Sequence, residues 1–347
     1  MTVNVTKPAL NIREKLAELD KPSGIAGEAM LRADSVQEQR DLIGAGRKNL
    51  IINGGMDVWQ RGTSHTTGSG YKSVDRWDFN TYTGGAFTVS KETDSELGSY
   101  LKWNRTAIDT AHPSSSNAVQ HSIENVRYVM QGKEVTVSFW LKDTASVGSG
   151  YVKIRMYGSP WTSYAEQNWI SNSSDWEYHS FTFSMPASIT ADHAQLLIVM
   201  DDGSSMGGVS ITNVQLELGS VATDFEHRSY GEELALCQRY YEVLNKLDGN
   251  ASAVCNAAFY SSANIYGIIK FAVEKRAVPS ISLPPASSLK VYRNGGSGYG
   301  TNRYADMPDE HGFRFSISGL SGGVINGACW VETDSDVTNS LAADAEL

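Results

Sequence analysis

The sequence predicts a mainly β chain with few helices. A short helical N-terminal segment is expected first, then an antiparallel β-sandwich, a linker helix and a small C-terminal β-sandwich domain. Three observations carry this. The composition is rich in Gly (32) and aromatics (16 Tyr, 8 Trp), the profile of strands joined by many turns. Period-two alternation recurs along most of the chain, as it does on half-buried strands. No helical stretch is interleaved between the candidate strands, which argues against a parallel α/β sheet.

The predicted organisation runs in four parts. In residues 1–48, Ile12, Leu16 and Leu19 recur at helical spacing until Pro22 stops the run. A second short helix is expected at 35–43, with Ser35 as cap, Glu38 three residues on and Gly44 at its end. Neither piece is long enough to be stable alone in water. They serve either as a hairpin packed on the next domain or as an anchor that orders on a larger assembly.

Residues 49–228 read as the sandwich. NLIING (49–54) reads as a strand start, and KEVTVSFWLKD (133–143) alternates through Val135, Val137 and Phe139. GYVKIRMYG (150–158) alternates through Val152, Ile154 and Met156, and WEYHSFTFSMP (176–186) alternates with one phase change suggesting a bulge. AQLLIVMDD (194–202) is a continuous apolar run, expected of a strand buried on both faces, and VSITNVQLEL (209–218) closes the series. Trp140 and Trp176 fall in strand patterns and are assigned to the core. DRW (75–77) is expected to start a strand, with Trp77 in the core and Asp75 or Arg76 in an ion pair.

Residues 229–245 read as the linker, with a helix over Glu232–Leu244. Residues 246–347 return to β patterns, with SISLPP (280–285) demoted to an edge or loop by its prolines.

Composition narrows the function classes. A formal net charge of −10 and the absence of a Lys/Arg-rich stretch weigh against a phosphate-tracking nucleic-acid binder. No apolar run reaches membrane-span length, and the charged N-terminus lacks a signal-peptide core, so synthesis in the cytoplasm is expected. The three cysteines, Cys237, Cys255 and Cys329, are too few and too scattered for a disulfide framework or zinc site. No catalytic motif stands in a supporting context, and the carboxylates are abundant rather than paired, so no enzyme is expected.

The stretch YGSPWTSYAEQNWISNSSDW (157–176) sets Trp161, Tyr164 and Trp169 among Ser, Asn and Gln. Read as a loop, it offers aromatic platforms for the apolar face of a pyranose, or a plug for the end of the sandwich.

NLIINGGMDVWQRGTS (49–64), DRW (75–77), VQLELGSVATDFEHRSYGEELALCQRYYE (214–242) and, more loosely, ADAEL (343–347) together resemble bacteriophage fibre proteins: tail fibres, head fibres or spikes. KPALNIREKLAELDKPSGIAGEAMLRAD (7–34) resembles the attachment segment that precedes this module in some of them. The resemblance implies a jelly-roll like that of carbohydrate-binding modules over 49–228, a homotrimer, a location in the virion, attachment to other virion proteins through the N-terminus, and adsorption to bacterial surface polysaccharide. A capsid decoration without a receptor, or a polysaccharide depolymerase spike, are the other roles it allows. In related carbohydrate-binding modules, oxygens from the first and last strands can hold a structural calcium. Asp57 and Glu217 are the two candidate carboxylates here, with salt bridges to Arg61 or Arg76 as the other reading.

Overall fold

The computed structural model describes residues 48–66, 68–80, 86–107, 117–143, 149–157, 162–171, 173–201, 207–245, 251–333 and 341–346. The chain divides into Met1–Lys48 and Asn49–Leu347. Residues 1–47, and with them the expected helices and Ile12, Leu16 and Leu19, lie outside the described residues.

From residue 49 onward the chain is mainly β, as its alternation predicts. The first half folds as two six-stranded antiparallel sheets. One has the order β1 (Ser64–Thr66), β4 (Ala86–Asp94), β5 (Gly98–Ala107), β12 (Gly207–Leu218), β7 (Glu134–Asp143), β10 (Glu177–Ser184). The other runs β2 (Gly70–Tyr71), β3 (Trp77–Asn80), β6 (Asn117–Glu124), β11 (His193–Asp201), β8 (Ser149–Met156), β9 (Thr162–Ile170). Successive strands cross repeatedly between the sheets, so the core forms only when both sheets close on it. Trp77, Phe79, Trp103, Phe139, Val152, Ile154, Leu196 and Ile198 fill it, each fully buried. Phe87 stacks on Trp103 at 4.2 Å between centroids.

The second half is a smaller sandwich. A seven-stranded sheet has the order β18 (Gly296–Tyr299), β17 (Leu289–Arg293), β21 (Ala328–Thr333), β14 (Ala253–Ser261), β15 (Asn264–Lys270), β20 (Gly312–Ser318), β19 (Asn302–Asp306). Its inner face, with Ile265, Phe315, Leu289 and Val331, packs with Leu341 and Ile281. Those two come from a three-stranded sheet ordered β13 (Tyr241–Asn245), β22 (Leu341–Asp344), β16 (Ser280–Ser282). The SISLPP segment thus forms a short edge strand, the position its prolines allow.

Several expectations change. NLIING is not a strand. It runs irregularly beside β12, with Leu50 N donating to Leu216 O (2.8 Å) and Val214 N to Gly54 O (2.9 Å), because β12 bulges between Thr212 and Gln215 with Asn213 at φ 51°. A Cβ on Gly54 would lie 2.0 Å from the Val214 carbonyl oxygen, so only glycine fits there. The phase change in WEYHSFTFSMP is no bulge: β10 pairs with β7 in unbroken register from Glu177 to Ser184.

Trp140 and Trp176 are not core residues but half-buried. Trp140 lies against Tyr178. Trp176 meets Tyr100 edge-on and donates to Asp94 Oδ2 (2.9 Å). The alternation that selected Trp140 was real, but its parity put it on the other face of β7, whereas Trp176 lies just before β10 and outside any strand.

The linker helix is shorter than expected. The second helix of this half, α2, spans Tyr230–Gln238; the first, α1, is a single turn at Val126–Val129. Ser229 and Glu232 form a reciprocal capping box at the start of α2. Tyr241–Asn245 then leaves the helix to become β13 against β22. The apolar residues over 241–244 fit either period, and pairing with a strand far along the chain selects the extended form.

Candidate functional site

Residues 49–64, 75–77, 214–242 and 343–346, among the stretches that carried the sequence resemblance, contribute to one buried junction between the two sandwiches. Asn53, at φ 59°, is its pivot. Its Nδ2 donates to Val58 O (2.8 Å) and Asp75 O (2.9 Å), and its Oδ1 accepts from Asp57 N and Val58 N. Its backbone amide donates to Glu233 Oε1 (2.5 Å), and its carbonyl accepts from the Trp77 indole (3.0 Å). Arg228 ties the same region together by donating to Ile51 O and Asn49 O while pairing with Glu226 and Glu233.

Beside it, Arg76 is fully buried, 3.4 Å from the Tyr240 ring centroid, and pairs with Glu346 while donating to Ser122 O (2.8 Å). Arg61 lies 3.5 Å from the Tyr241 ring and bridges Asp75 (3.2 Å) and Glu346 (3.3 Å). Burial pushes the Asp75 carboxyl up to about 7 despite the Arg61 guanidinium. A second buried pair, Lys275 with Glu242, closes the far side, where Lys275 Nζ also donates to Gln238 O (2.7 Å). Two arginines stacked on two tyrosines and paired with three carboxylates, Asp75, Glu346 and, through Arg61, Asp344 (3.5 Å), form a rivet, since each guanidinium has its partner and each ring covers a guanidinium.

The expected ion pair at DRW is therefore present as Asp75 with Arg61, while Arg76 reaches Glu346, 270 residues along the chain. Neither Asp57 nor Glu217 joins Arg61 or Arg76 in an ion pair. Asp57 is exposed, and its carbonyl accepts from Lys91 Nζ (2.7 Å). Glu217 is buried and holds the following turn, accepting from Thr223 N (2.9 Å), Thr223 Oγ1 (2.6 Å) and Gln215 Nε2 (2.9 Å). Among the described residues no three metal-capable side chains gather.

The expected aromatic loop is otherwise arranged. Trp161 lies outside the described residues, as does the side chain of Tyr164 on β9. Trp169 is not an exposed platform. It is 1% exposed, faces the core, lies over Gly150 and donates its indole N–H to Val199 O (3.1 Å). The stretch reads as a loop because it is polar, yet Thr162–Ile170 is a strand on the edge of its sheet, where one face meets water.

The outer face of that same sheet carries a feature the sequence reading missed. Positions alternating with the core residues of β3, β6, β11 and β8 form cross-strand rows: Ser122–Gln195–Arg155, Asp78–Gln120–Leu197–Lys153, and Asn80–Ala118–Val199. Although they face away from the core, Gln120, Ser122, Gln195, Leu197 and Val199 are each at most 8% exposed. Arg155 donates to Gln195 Oε1 (2.9 and 2.7 Å) and Gln120 Oε1 (2.9 Å), and Gln120 donates to Asp78 Oδ2.

Asp78 Oδ1 is buried with no hydrogen-bonding partner, and burial raises its carboxyl pKa. At the other end Ala118, Leu197 and Val199 form an apolar cluster with Tyr151 against it. One end of this surface therefore presents amides, a guanidinium and a carboxylate, and the other a hydrocarbon floor with a phenol ring. The signal was available in sequence as the outward parity of strands recognised by their inward residues. It needed strand order to become a site.

No protein-family model matches the chain, and no curated protein does. Among solved structures it is similar to a CBM4 domain at 20% identity, covering 49% of this chain and 99% of that one with a TM-score of 0.36. It is similar to a family 16 carbohydrate-binding module at 14% identity, covering 48% and 99% with a TM-score of 0.31. A third likeness, at 15% identity, is to the enzymatically active domain of bacteriophage CBA120 tailspike protein 4, covering 49% of this chain and 21% of that one with a TM-score of 0.31.

Proposed function

We propose that this chain is a non-catalytic adhesive subunit of a virion fibre, and that its first sandwich binds a polysaccharide on the outer face of the β2–β3–β6–β11–β8–β9 sheet. The observation that carries the reading is the buried network of Arg155, Gln120, Gln195 and Asp78, with an unpartnered carboxylate oxygen, beside the Ala118–Leu197–Val199–Tyr151 floor. Pyranoses have the same two-sided character, hydroxyls around a hydrocarbon face, and sites that take small polar ligands set a few converging polar groups in an apolar lining. The guanidinium and amides read hydroxyls, Asp78 Oδ1 accepts one, and Tyr151 covers the ring.

The virion assignment rests on the sequence resemblance. In it, residues 1–48 attach the subunit to the particle, three copies assemble, and several weak sugar contacts add by tethering. A structural calcium held near Asp57 and Glu217 belongs to the same reading.

Arrays of bacterial surface polysaccharides test the binding. The full chain is expected to retain at least one glycan, and Arg155→Ala and Tyr151→Ala to weaken it at least about tenfold while both variants remain folded by circular dichroism. Binding undiminished in both variants rejects the site. Removal of residues 1–48 is expected to abolish incorporation into particles and leave a folded protein. A particle lacking the subunit that still adsorbs normally would make it a decoration.

A further inference from the structure

The seven-stranded sheet of the second sandwich has one face in its core and the other in water, and the outward face is aromatic. On β21 Cys329 and Val331 are buried while Trp330 between them is 44% exposed. On β15 Ile265 and Ile269 are buried while Tyr266 is 44% exposed. Tyr260 (49%) and Tyr304 (47%) share the surface. Rings so placed are costly in water unless something covers them.

They are also held in position. Tyr292 and Trp330 stack with centroids 5.3 Å apart and planes within 5°, and the Trp330 indole donates to Glu332 Oε1 (2.9 Å). Tyr260 and Tyr266 lie 5.1 Å apart. Trp330 and Tyr266 stand on either side of β14, where Asn256 pairs with Trp330 and Ala258 with both Ala328 and Tyr266, while Tyr260 rises near the end of β14 itself. The rings thus flank a shallow floor about 10 Å across, two strand spacings.

We infer that this face is a second carbohydrate-binding platform, distinct from the first sandwich, which takes a linear oligosaccharide of pyranoses with equatorial hydroxyls by stacking on Trp330 and Tyr266. Such sugars present a flat C–H face, and fixed rings receive it with little loss of rotamer freedom. A second copy of the chain fits less well. Glu332 and the Arg314–Asp306 pair (3.3 Å) lie among the rings, whereas the centre of a protein–protein interface is depleted in charged side chains. Those same groups are ready partners for hydroxyls.

The full chain carrying Arg155→Ala, which disables the first surface, is labelled with 5-fluorotryptophan and titrated with cellohexaose and, separately, with β-1,4-xylohexaose. The fluorine resonance of Trp330, identified by its loss in Trp330→Phe, is expected to shift saturably with at least one probe. Trp330→Ala and Tyr266→Ala, each at an exposed position, are expected to weaken the binding at least about tenfold, read from the remaining resonances and by calorimetry. No shift with either probe, or affinity unchanged in both variants, overturns the inference. So does a fall in sedimentation coefficient in Trp330→Ala, which identifies the face as a subunit contact. Because Arg155 is already replaced, failure here leaves the polysaccharide arrays on Arg155→Ala and Tyr151→Ala as an independent test of the first surface.

Discussion

Glu346 holds two buried arginines, and its removal measures what the junction contributes. Its side chain is 5% exposed, against 1% for Arg76 and 7% for Arg61. In Glu346→Ala, Arg61 keeps Asp75 at 3.2 Å, but Arg76 loses the carboxylate it pairs with and retains the Ser122 carbonyl and the Tyr240 ring. Breaking a buried pair by removing one partner costs roughly 3–5 kcal/mol. The two contacts that remain place this case near the lower end, about 3 kcal/mol. Arg276 also donates to the backbone carbonyls of Ala345 and Glu346, and Ala345 N donates to Tyr240 O (2.7 Å). The loss should therefore spread into β22.

Urea unfolding followed by tryptophan fluorescence gives the free energy, and hydrogen exchange at Leu341–Asp344 reports the local loosening. Glu346→Ala combined with Arg76→Met is expected to recover a large share of the loss, since no charge is then stranded. A Glu346→Ala variant within about 0.5 kcal/mol of the parent, the range of ordinary surface changes, would falsify the claim that this pair rivets the two sandwiches.

Gly54→Ala drives a Cβ into the Val214 carbonyl, an atom that also accepts from Asn49 Nδ2 (3.1 Å). A loss of about 2–3 kcal/mol is expected by the same denaturation, and near-neutral behaviour would show that the 49–54 segment readily moves off β12. Asp75 supplies the pH test. Its folded pKa, about 7, is raised from 3.8, so the folded state binds the proton more tightly, and this contribution to stability is full below about pH 4 and is lost as pH rises through 7. Half-buried His65, lowered to about 4, acts in the opposite direction over part of the same window. The comparison must therefore be between the parent and Asp75→Asn, whose stability difference should change between about pH 4 and 7 and level off above it. A difference constant with pH removes Asp75 from the account.

Much of the fold is legible in the sequence because inward parity is a local property. Val135, Val137 and Phe139 alternate, and they are buried; Leu196 to Val199 run without alternation, and that strand is buried on both faces. The linker helix is legible in kind but not in extent. The expected start at Glu232 falls two residues inside the observed one, which the Ser229–Glu232 capping box sets, and the end of the helix depends on β22 offering a strand partner to Tyr241–Asn245. Trp169 shows the opposite failure: a polar context suggested a loop, and an edge strand with its tryptophan turned inward has the same composition.

The sequence by itself determined the β character, the chain positions of most strands and which of their residues could form a core, because hydrophobic period and turn chemistry act over a few residues. Only the tertiary structure decided that Asn53, Arg76, Glu233 and Glu346 meet in one junction, and that Asp78, Gln120, Gln195 and Arg155 share one face. Those neighbours come from strands far apart in the chain, and the order in which strands pair is set by closing two sheets over one core.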